Sequence, residues 1–316
     1  DNDGDLDLYI AKCRQGVNNP DDGRRLNQLF VNNGDGTYAQ DTLNTYGLRI
    51  GAQSWTADFG DVDNDGDQDC FITNHDLPSQ LLLNDGTGVF TDITGTSGID
   101  VDGLPIQGIF KDFDNDGFLD IIVAGSLHHL FRNNGDGTFT DFGDEAFGSV
   151  QMESYAVGDL NQDGKLDVYG GYANIYTSPS NIPDVIWLNT TANDNHYLTV
   201  RLEGTTSNRN AVGARISIFG DWGLQVREVR SGESYGIMNS FYQHFGLGQQ
   251  TMADSLVVNW PSGLREVFYN VSADQSIQIV EGECISPFAA VEASGPSVLC
   301  PGESATLSVT TASTAI

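Results

Sequence analysis

The chain has 316 residues with 44 acidic against 14 basic side chains, a net charge of −30. That balance argues against nucleic-acid binding and against docking on anionic lipid, both of which need a basic surface. No run approaches the roughly 18 apolar residues of a membrane-spanning helix, and the 39% apolar content can fill one large or two ordinary domain cores.

The first residues, DNDGDLD, carry no starting Met and fall in the middle of a motif that recurs downstream. The chain is therefore expected to be a piece of a longer protein. Sixteen of the 44 acids lie in four short loops at 1–7, 61–69, 112–120 and 159–167. Solubility alone does not require such clustering. The loop centres Asp3, Asp65, Asp116 and Asp163 are spaced 62, 51 and 47 residues apart, the signature of a repeat.

Each repeat follows one course. A β-prone segment leads in (SWTADFG, IQGIFK, SYAVG), a second leads out (LYIAKC, CFITN, IIVAG, VYGGY), and a third follows (NQLFVN, QLLLN, HLFRN, DVIWLN). In the first three repeats a Gly-rich turn comes next (NNGDGTY, NDGTGVF, NNGDGTF), then a polar–aromatic strand. Asn-Gly and Asp-Gly supply the positive φ angles of tight hairpins, and Tyr38, Phe90 and Phe139 after them are expected to pack. Short β-branched and aromatic runs bounded by Gly, Asn and Asp are strands, and 1–190 shows no sustained helical period. Four short strands per repeat predict a β-propeller blade. The fold class is therefore all-β: an incomplete propeller of about four blades over 1–190, with further blades expected upstream. The fourth repeat lacks the Gly-rich turn, so the array is expected to end there.

The acidic loops stop before His196. HYLTVRLEG, ARISIFG, LQVREVRSG, SLVVNW, EVFYNV and SIQIVEG then predict a separate β-sandwich-like domain over 196–283. Residues 284–316 read as a linker and the truncated start of an immunoglobulin-like module. The four cysteines, Cys13, Cys70, Cys284 and Cys300, form no CxxC pair, which speaks against zinc.

Read as nine-residue loops, the acids fall in register. Positions 1, 3, 5 and 9 are Asp61, Asp63, Asp65 and Asp69, then Asp112, Asp114, Asp116 and Asp120, then Asp159, Asn161, Asp163 and Asp167. The first copy keeps Asp1, Asp3 and Asp7 as positions 3, 5 and 9. Position 6 is always Gly. Position 7 varies among Asp67, Phe118 and Lys165, so it can offer a cation only its backbone carbonyl. A hard cation taking about six to eight oxygens at about 2.3–2.6 Å suits this set, and Ca²⁺ tolerates its irregularity better than Mg²⁺. An EF-hand or a dockerin-like loop needs an acid at position 12; here Ile72, Val123 and Gly170 stand there, inside strands. Carboxylate count ranks the loop at 159–167 as the weakest site.

FGDVDNDGDQDCFITN and LFRNNGDGTFTD resemble FG-GAP/VCBS repeats, the calcium-binding blades of integrin α-subunit heads and of many bacterial surface proteins. NHYLTVRLEGTTSNRNAVGARISI, HFGLG and LVVNWPSG resemble the ASPIC/UnbV domain that follows such repeats in the cartilage acidic protein family. The resemblance implies a secreted or cell-surface propeller with calcium in its loops, and it implies no catalytic residue. It departs from the pattern at the missing first ligand of the N-terminal loop, at Asn161 and at the missing blades.

GESYG at 232–236 matches G-x-S-x-G, but no helix is expected after it, and His244 precedes Asp254, the reverse of the hydrolase order. His128 and His129 are adjacent and on a strand face opposite ways. Trp55, Trp187, Trp222 and Trp260 are read as packing residues, and Asn189 and Asn270 open glycosylation sequons. The function expected is a non-enzymatic extracellular calcium-binding module that adheres to a protein or glycan. The alternative is a propeller lyase or hydrolase acting on an extracellular polysaccharide.

Overall fold

The computed structural model describes residues 4–175 and 178–283, with the backbone of the strands Ser286–Pro287, Ala290–Ser294 and Thr306–Thr310. Asp1, Asp3, Cys284 and Cys300 lie outside the described residues, as does most of the expected immunoglobulin-like segment. Cys13 and Cys70 are free thiols, the first exposed and the second buried.

Four antiparallel sheets follow one another along the repeats. The second runs Ser54–Gly60, Asp69–Asn74, Gln80–Asn84, Phe90–Asp92 in simple up-and-down order. The third repeats it with Gln107–Lys111, Asp120–Ala124, His128–Asn133, Phe139–Asp141. The first sheet has three strands, Leu8–Ile10, Gln28–Asn32 and Tyr38–Gln40. The fourth also has three, Ser154–Gly158, Asp167–Gly171 and Val185–Trp187, and lacks the closing strand, in line with its missing Gly-rich turn.

Every residue of Asp69–Asn74 and of Asp120–Ala124 is buried, as expected for strands covered on both faces. What covers them is the next sheet. Leu29, Leu48, Cys70, Ile72 and Leu82 form one core between the first and second sheets. Phe71, Leu81, Phe110, Ile121, Val123 and Phe131 form the next. Ile109, Ile122, Met152, Tyr155 and Val168 form the third. The sheets therefore stack as blades do, although the described residues close no ring. Two short helices, Thr94–Ser97 and Gly143–Phe147, interrupt the connections where only loops were expected. Of the aromatics after the Gly-rich turns, Phe139 is buried and Phe90 packs against the first core, but Tyr38 is half exposed and does not pack as expected.

Two four-stranded sheets make the second unit. One joins His196–Glu203 to Gln243–Gly248 and, in parallel, to Gln275–Val280, which pairs on its other side with Ser286–Pro287. The other joins Arg215–Gly220, Gly223–Glu228, Met252–Asn259 and Arg265–Ser272. Leu198, Val200, Leu202, Ile216, Ile218, Phe245, Leu256, Val258 and Ile277 interdigitate between them in one dry core, which makes the unit a β-sandwich.

The sandwich has a core of its own and packs against the blades. The segment 230–239 lies along the leading strands of the second, third and fourth sheets. Arg230 pairs with the buried Asp58 at 2.6 Å and also donates to the Phe59 carbonyl. The Gly108 amide donates to Ser234 Oγ (2.9 Å), Gln107 Nε2 to the Tyr235 carbonyl (2.7 Å) and the Val157 amide to Asn239 Oδ1 (2.8 Å). Lys111 pairs with Glu233 at 2.8 Å, and Asn239 donates to the same carboxylate at 2.6 Å. Burial would raise the Glu233 carboxyl, but Lys111 and Arg230 outweigh it and hold the group at about 2. Leading strands end the hydrogen-bonded order of each sheet, so their outer amides need partners. The sandwich supplies two, for Gly108 and Val157.

Candidate metal centres

Each acidic loop connects the first strand of its sheet to the second. Two left-handed residues bend it: position 4 (Asn64, Asn115 and Gln162, φ 59–61°) and position 6 (Gly66, Gly117 and Gly164, φ 84–99°). Asn and Gly are the residue types that tolerate this region. The bend turns positions 1, 3 and 5 to one side. In the second sheet ligand atoms of Asp61, Asp63 and Asp65 lie within 4.8 Å of one another, and in the third sheet so do those of Asp112, Asp114 and Asp116. Positions 3 and 5 each give an oxygen to a loop amide. Asp63 accepts from Asp65 N (3.3 Å) and Asp65 from Asp67 N (3.0 Å). Asp114 accepts from Asp116 N (3.2 Å) and Asp116 from Phe118 N (2.9 Å).

Position 1 distinguishes a metal site from a solvated turn. Asp61 is wholly buried, and neither of its carboxylate oxygens has a hydrogen-bond partner. Asp112 is 1% exposed; its Oδ2 accepts from Gly117 N (2.9 Å), while Oδ1 has no partner. Leaving a carboxylate oxygen dry and unpaired costs several kcal/mol unless a cation or a proton takes it up. Burial, with Asp65 and Asp63 adding negative charge, pushes Asp61 up to about 7. Burial and the same two neighbours push Asp67 up to about 6, and burial above all pushes Asp69 up to about 8. Burial raises both Asp112 and Asp116, with Asp116 and Asp114 adding to it at Asp112 and Asp114 at Asp116. Oxygen-only donors, alternate and inward, fit a hard cation.

The loop at 159–167 is poorer. Asp159 accepts from Gly164 N (3.0 Å) and Asp163 N (3.1 Å), and the Asn161 amide nitrogen donates to Asp163 Oδ2 (3.0 Å). Its carboxylates thus already have partners, in keeping with its lowest rank.

Position 9 has a second job that the sequence did not disclose. Asp69 accepts from the amides of Val62 and Asn84, both at 2.9 Å. Asp120 accepts from Phe113 (2.8 Å) and Asn133 (2.9 Å), and Asp167 from Leu160 (2.9 Å) and Asn189 (2.8 Å). Asp7 accepts from Asn32 at 2.8 Å. The carboxylate pins the loop to the end of the third strand, and its remaining lone pairs still permit a cation contact. At position 7 the Phe118 ring lies against Gly135 and Lys165 reaches the Thr191 carbonyl, whereas the Asp67 carboxylate lies beside Gly86 with its Oδ1 buried and unpaired.

An Asn stands at or just beyond the end of each third strand, in NQLFVN, QLLLN, LFRN and IWLN. Asn133 Nδ2 donates to the Leu119 carbonyl (3.1 Å) of its own loop and to the Val62 carbonyl (2.8 Å) of the preceding one. Asn189 does the same with Leu166 (3.2 Å) and Phe113 (2.7 Å), so this sequon residue is a structural link. Position 4 adds a further rung. Asn64 Nδ2 donates to the Gly117 carbonyl (3.2 Å) and Asn115 Nδ2 to that of Gly164 (2.9 Å). The acidic loops therefore form a chain of bonded neighbours along one edge of the stack.

The sandwich roofs this edge. Gly246 N donates to Asp112 Oδ2 (3.1 Å), and His244 Nε2 lies 2.7 Å from Asn115 Oδ1. Arg227, half-buried, lies among the charges of Asp112 and Asp61. Burial and the nearby Arg227 and Lys111 hold His244 down at about 3, so its ring is neutral.

Family models agree with this division. One described as FG-GAP-like repeat matches residues 1–72, 61–123 and 112–170, and one described as ASPIC and UnbV matches 204–286. Cartilage acidic protein 1 of Xenopus tropicalis is 27% identical over 189 residues, covering 56% of this chain and 28% of that protein. Cartilage acidic protein 1 of Homo sapiens is 26% identical over 272 residues, covering 81% of this chain and 40% of that protein. The chain thus spans well under half the length of these two relatives. The crystal structure of the V. cholerae biofilm matrix protein Bap1 aligns with 96% of this chain and 65% of that one, with 10% identity and a TM-score of 0.27, too remote to bear on the fold.

Proposed function

We propose, from the premise that the chain belongs to the FG-GAP-like repeat family, that it is a calcium-stabilised, non-enzymatic scaffold of an extracellular protein. The observation that carries this reading is the pair of buried aspartates at the head of the two in-register oxygen clusters, Asp61 with both carboxylate oxygens unpaired and Asp112 with Oδ1 unpaired. Calcium supplies the positive charge that such a cluster lacks. Asp61, Asp63 and Asp65, and Asp112, Asp114 and Asp116, would hold it, joined by the position-7 carbonyls and by Asp69 and Asp120. Asp159, Asn161, Asp163 and Asp167 would form a weaker site, with the Lys165 carbonyl. The blades and the sandwich then present a rigid surface to a protein or glycan partner. Among the described residues no helix is long and apolar enough to cross a membrane, and secretion to the medium or cell surface is part of the same proposal.

The Ser-hydrolase reading of GESYG draws no support from the geometry. Ser234 of GESYG accepts the Gly108 amide, and His244 is shared between Thr199 and Asn115, so neither serves the other. Calorimetric titration with Ca²⁺ and Mg²⁺ tests the metal reading: saturable Ca²⁺ binding with Mg²⁺ weaker supports it, and no binding of either refutes it. Incubation with a polysaccharide panel tests the rest, since new reducing ends or unsaturated products would overturn the non-enzymatic assignment.

A further inference from the structure

The three loops are not treated alike by the sandwich. Loop 61–69 receives Arg215 on its Gly66 carbonyl and the Leu224 side chain close over Gly66. Loop 159–167 receives the Tyr197 ring over Gly164. Loop 112–120 is clasped through its backbone and its carboxylate together. Gly246 N donates to Asp112 Oδ2 (3.1 Å) and Gly248 N to the Asn115 carbonyl (2.9 Å). Asn193 Nδ2 (2.6 Å) and Asn195 Nδ2 (2.9 Å) both donate to the Asp114 carbonyl, and His244 meets Asn115 Oδ1. The approach is close enough that a Cβ on Gly246 would stand 2.1 Å from Asp112 Oδ2 and 2.4 Å from the Asn115 carbonyl carbon.

All of these contacts require the loop to be in its folded-back shape. Without an ion, four carboxylates in nine residues oppose that shape; with one, they favour it. Whatever binds only the ordered loop stabilises it, and the linkage is reciprocal. Arg227 acts in the opposite sense, because a fixed guanidinium near Asp112 and Asp61 repels an incoming cation. The loop with its four carboxylates remains net negative after taking up a divalent ion, so Arg227 stays among attracting charges and the clasp contacts decide the sign.

We propose that the sandwich is a calcium-dependent latch on the blades: its Gly246–Gly248 strand end and the Asn193–Asn195 linker preorganise loop 112–120, and the ion in that loop in turn holds the sandwich down. Loop 112–120 is then the tightest site of the chain and exchanges its ion most slowly. This rests on the calcium reading above.

The test uses the full chain. Amide hydrogen exchange at Gly246 and Gly248 is followed in excess Ca²⁺ and in chelator, and Ca²⁺ affinity is measured for the parent and for the Asn193→Ala/Asn195→Ala double variant. That variant alters only linker side chains and should fold; Gly246→Ala is the harsher companion. Two lost hydrogen bonds to one loop are expected to weaken one site by about tenfold and leave the others unchanged. The Gly246 and Gly248 amides are expected to exchange faster in chelator, whereas Asn134→Ala, at an exposed turn, leaves their protection in Ca²⁺ intact. If the parent binds Ca²⁺ but these amides exchange identically with and without it, and the double variant titrates as the parent does, the latch is refuted and the calcium reading survives. If the parent binds no Ca²⁺ at all, both fall together.

Discussion

Replacing Asn133 by Ala removes the side chain that ties two acidic loops to one strand end. Asn133 is 3% exposed, and its Nδ2 donates to the Val62 carbonyl at 2.8 Å and to the Leu119 carbonyl at 3.1 Å. Each buried carbonyl left without its donor costs about 1–3 kcal/mol, so the pair is expected to cost about 3 kcal/mol. For a chain of this size about 1 kcal/mol moves the melting temperature by about 2–4 °C, which puts the expected drop near 9 °C. The comparison is Asn134→Ala, one residue on, whose Nδ2 reaches only Thr138 Oγ1 at an exposed turn; it is expected to shift melting by less than about 2 °C. Thermal unfolding followed by circular dichroism, in chelator and again in Ca²⁺, reads both. The bonds do not involve an ion, so the drop should appear in both conditions. Equal melting temperatures for Asn133→Ala and Asn134→Ala would refute the idea that these asparagines splice the blades together.

In chelator, stability should fall as pH rises. Asp67, Asp61 and Asp69 stand at about 6, 7 and 8 against an ordinary 3.8, chiefly through burial, so the folded state binds more protons than the unfolded one between pH 4 and 8. Melting temperature should therefore decline from about pH 5 to pH 8, and saturating Ca²⁺ should flatten the decline; a rising curve in chelator would contradict the burial of these groups. Single Asp→Asn changes at Asp61, Asp112 and Asp159 should each remove or weaken one Ca²⁺ site by calorimetry, with Asp159→Asn the least consequential. Arg230→Met leaves Asp58 buried without its partner, and breaking such a pair costs about 3–5 kcal/mol; limited proteolysis should then cut the 230–239 segment faster than in the parent, and unchanged digestion would mean that the segment is not held there.

Much of the fold was legible because the repeat writes its own punctuation. The Asp spacing gave the loop register, the position-6 glycines gave the bend, and the runs between them gave the strands. Even the missing closing strand of the fourth sheet followed from the absent Gly-rich turn. The second function of Asp69, Asp120 and Asp167 was not legible, because a carboxylate that pins two backbone amides has the same letter as one that meets a cation. The seating of the sandwich was hidden for a related reason. Gly246 and Gly248 act through their backbone N–H groups, and a backbone donor leaves no trace in residue type. The Asn at or just after the end of every third strand was available as a signal: it recurs four times in step with the acids, and such recurrence implies a bonding partner for the amide.

The account stands or falls on whether an ion occupies these loops. Full-length chain dialysed against millimolar Ca²⁺ and then against buffer should be assayed for retained metal and melted beside a chelator-treated sample. At a free ion level a hundredfold above Kd each site adds about 2.7 kcal/mol, so the two oxygen clusters together should add about 5 kcal/mol and raise the melting temperature by about 10–20 °C, with at least two ions held per chain. Identical melting in chelator and in Ca²⁺, with no ion retained, would contradict it.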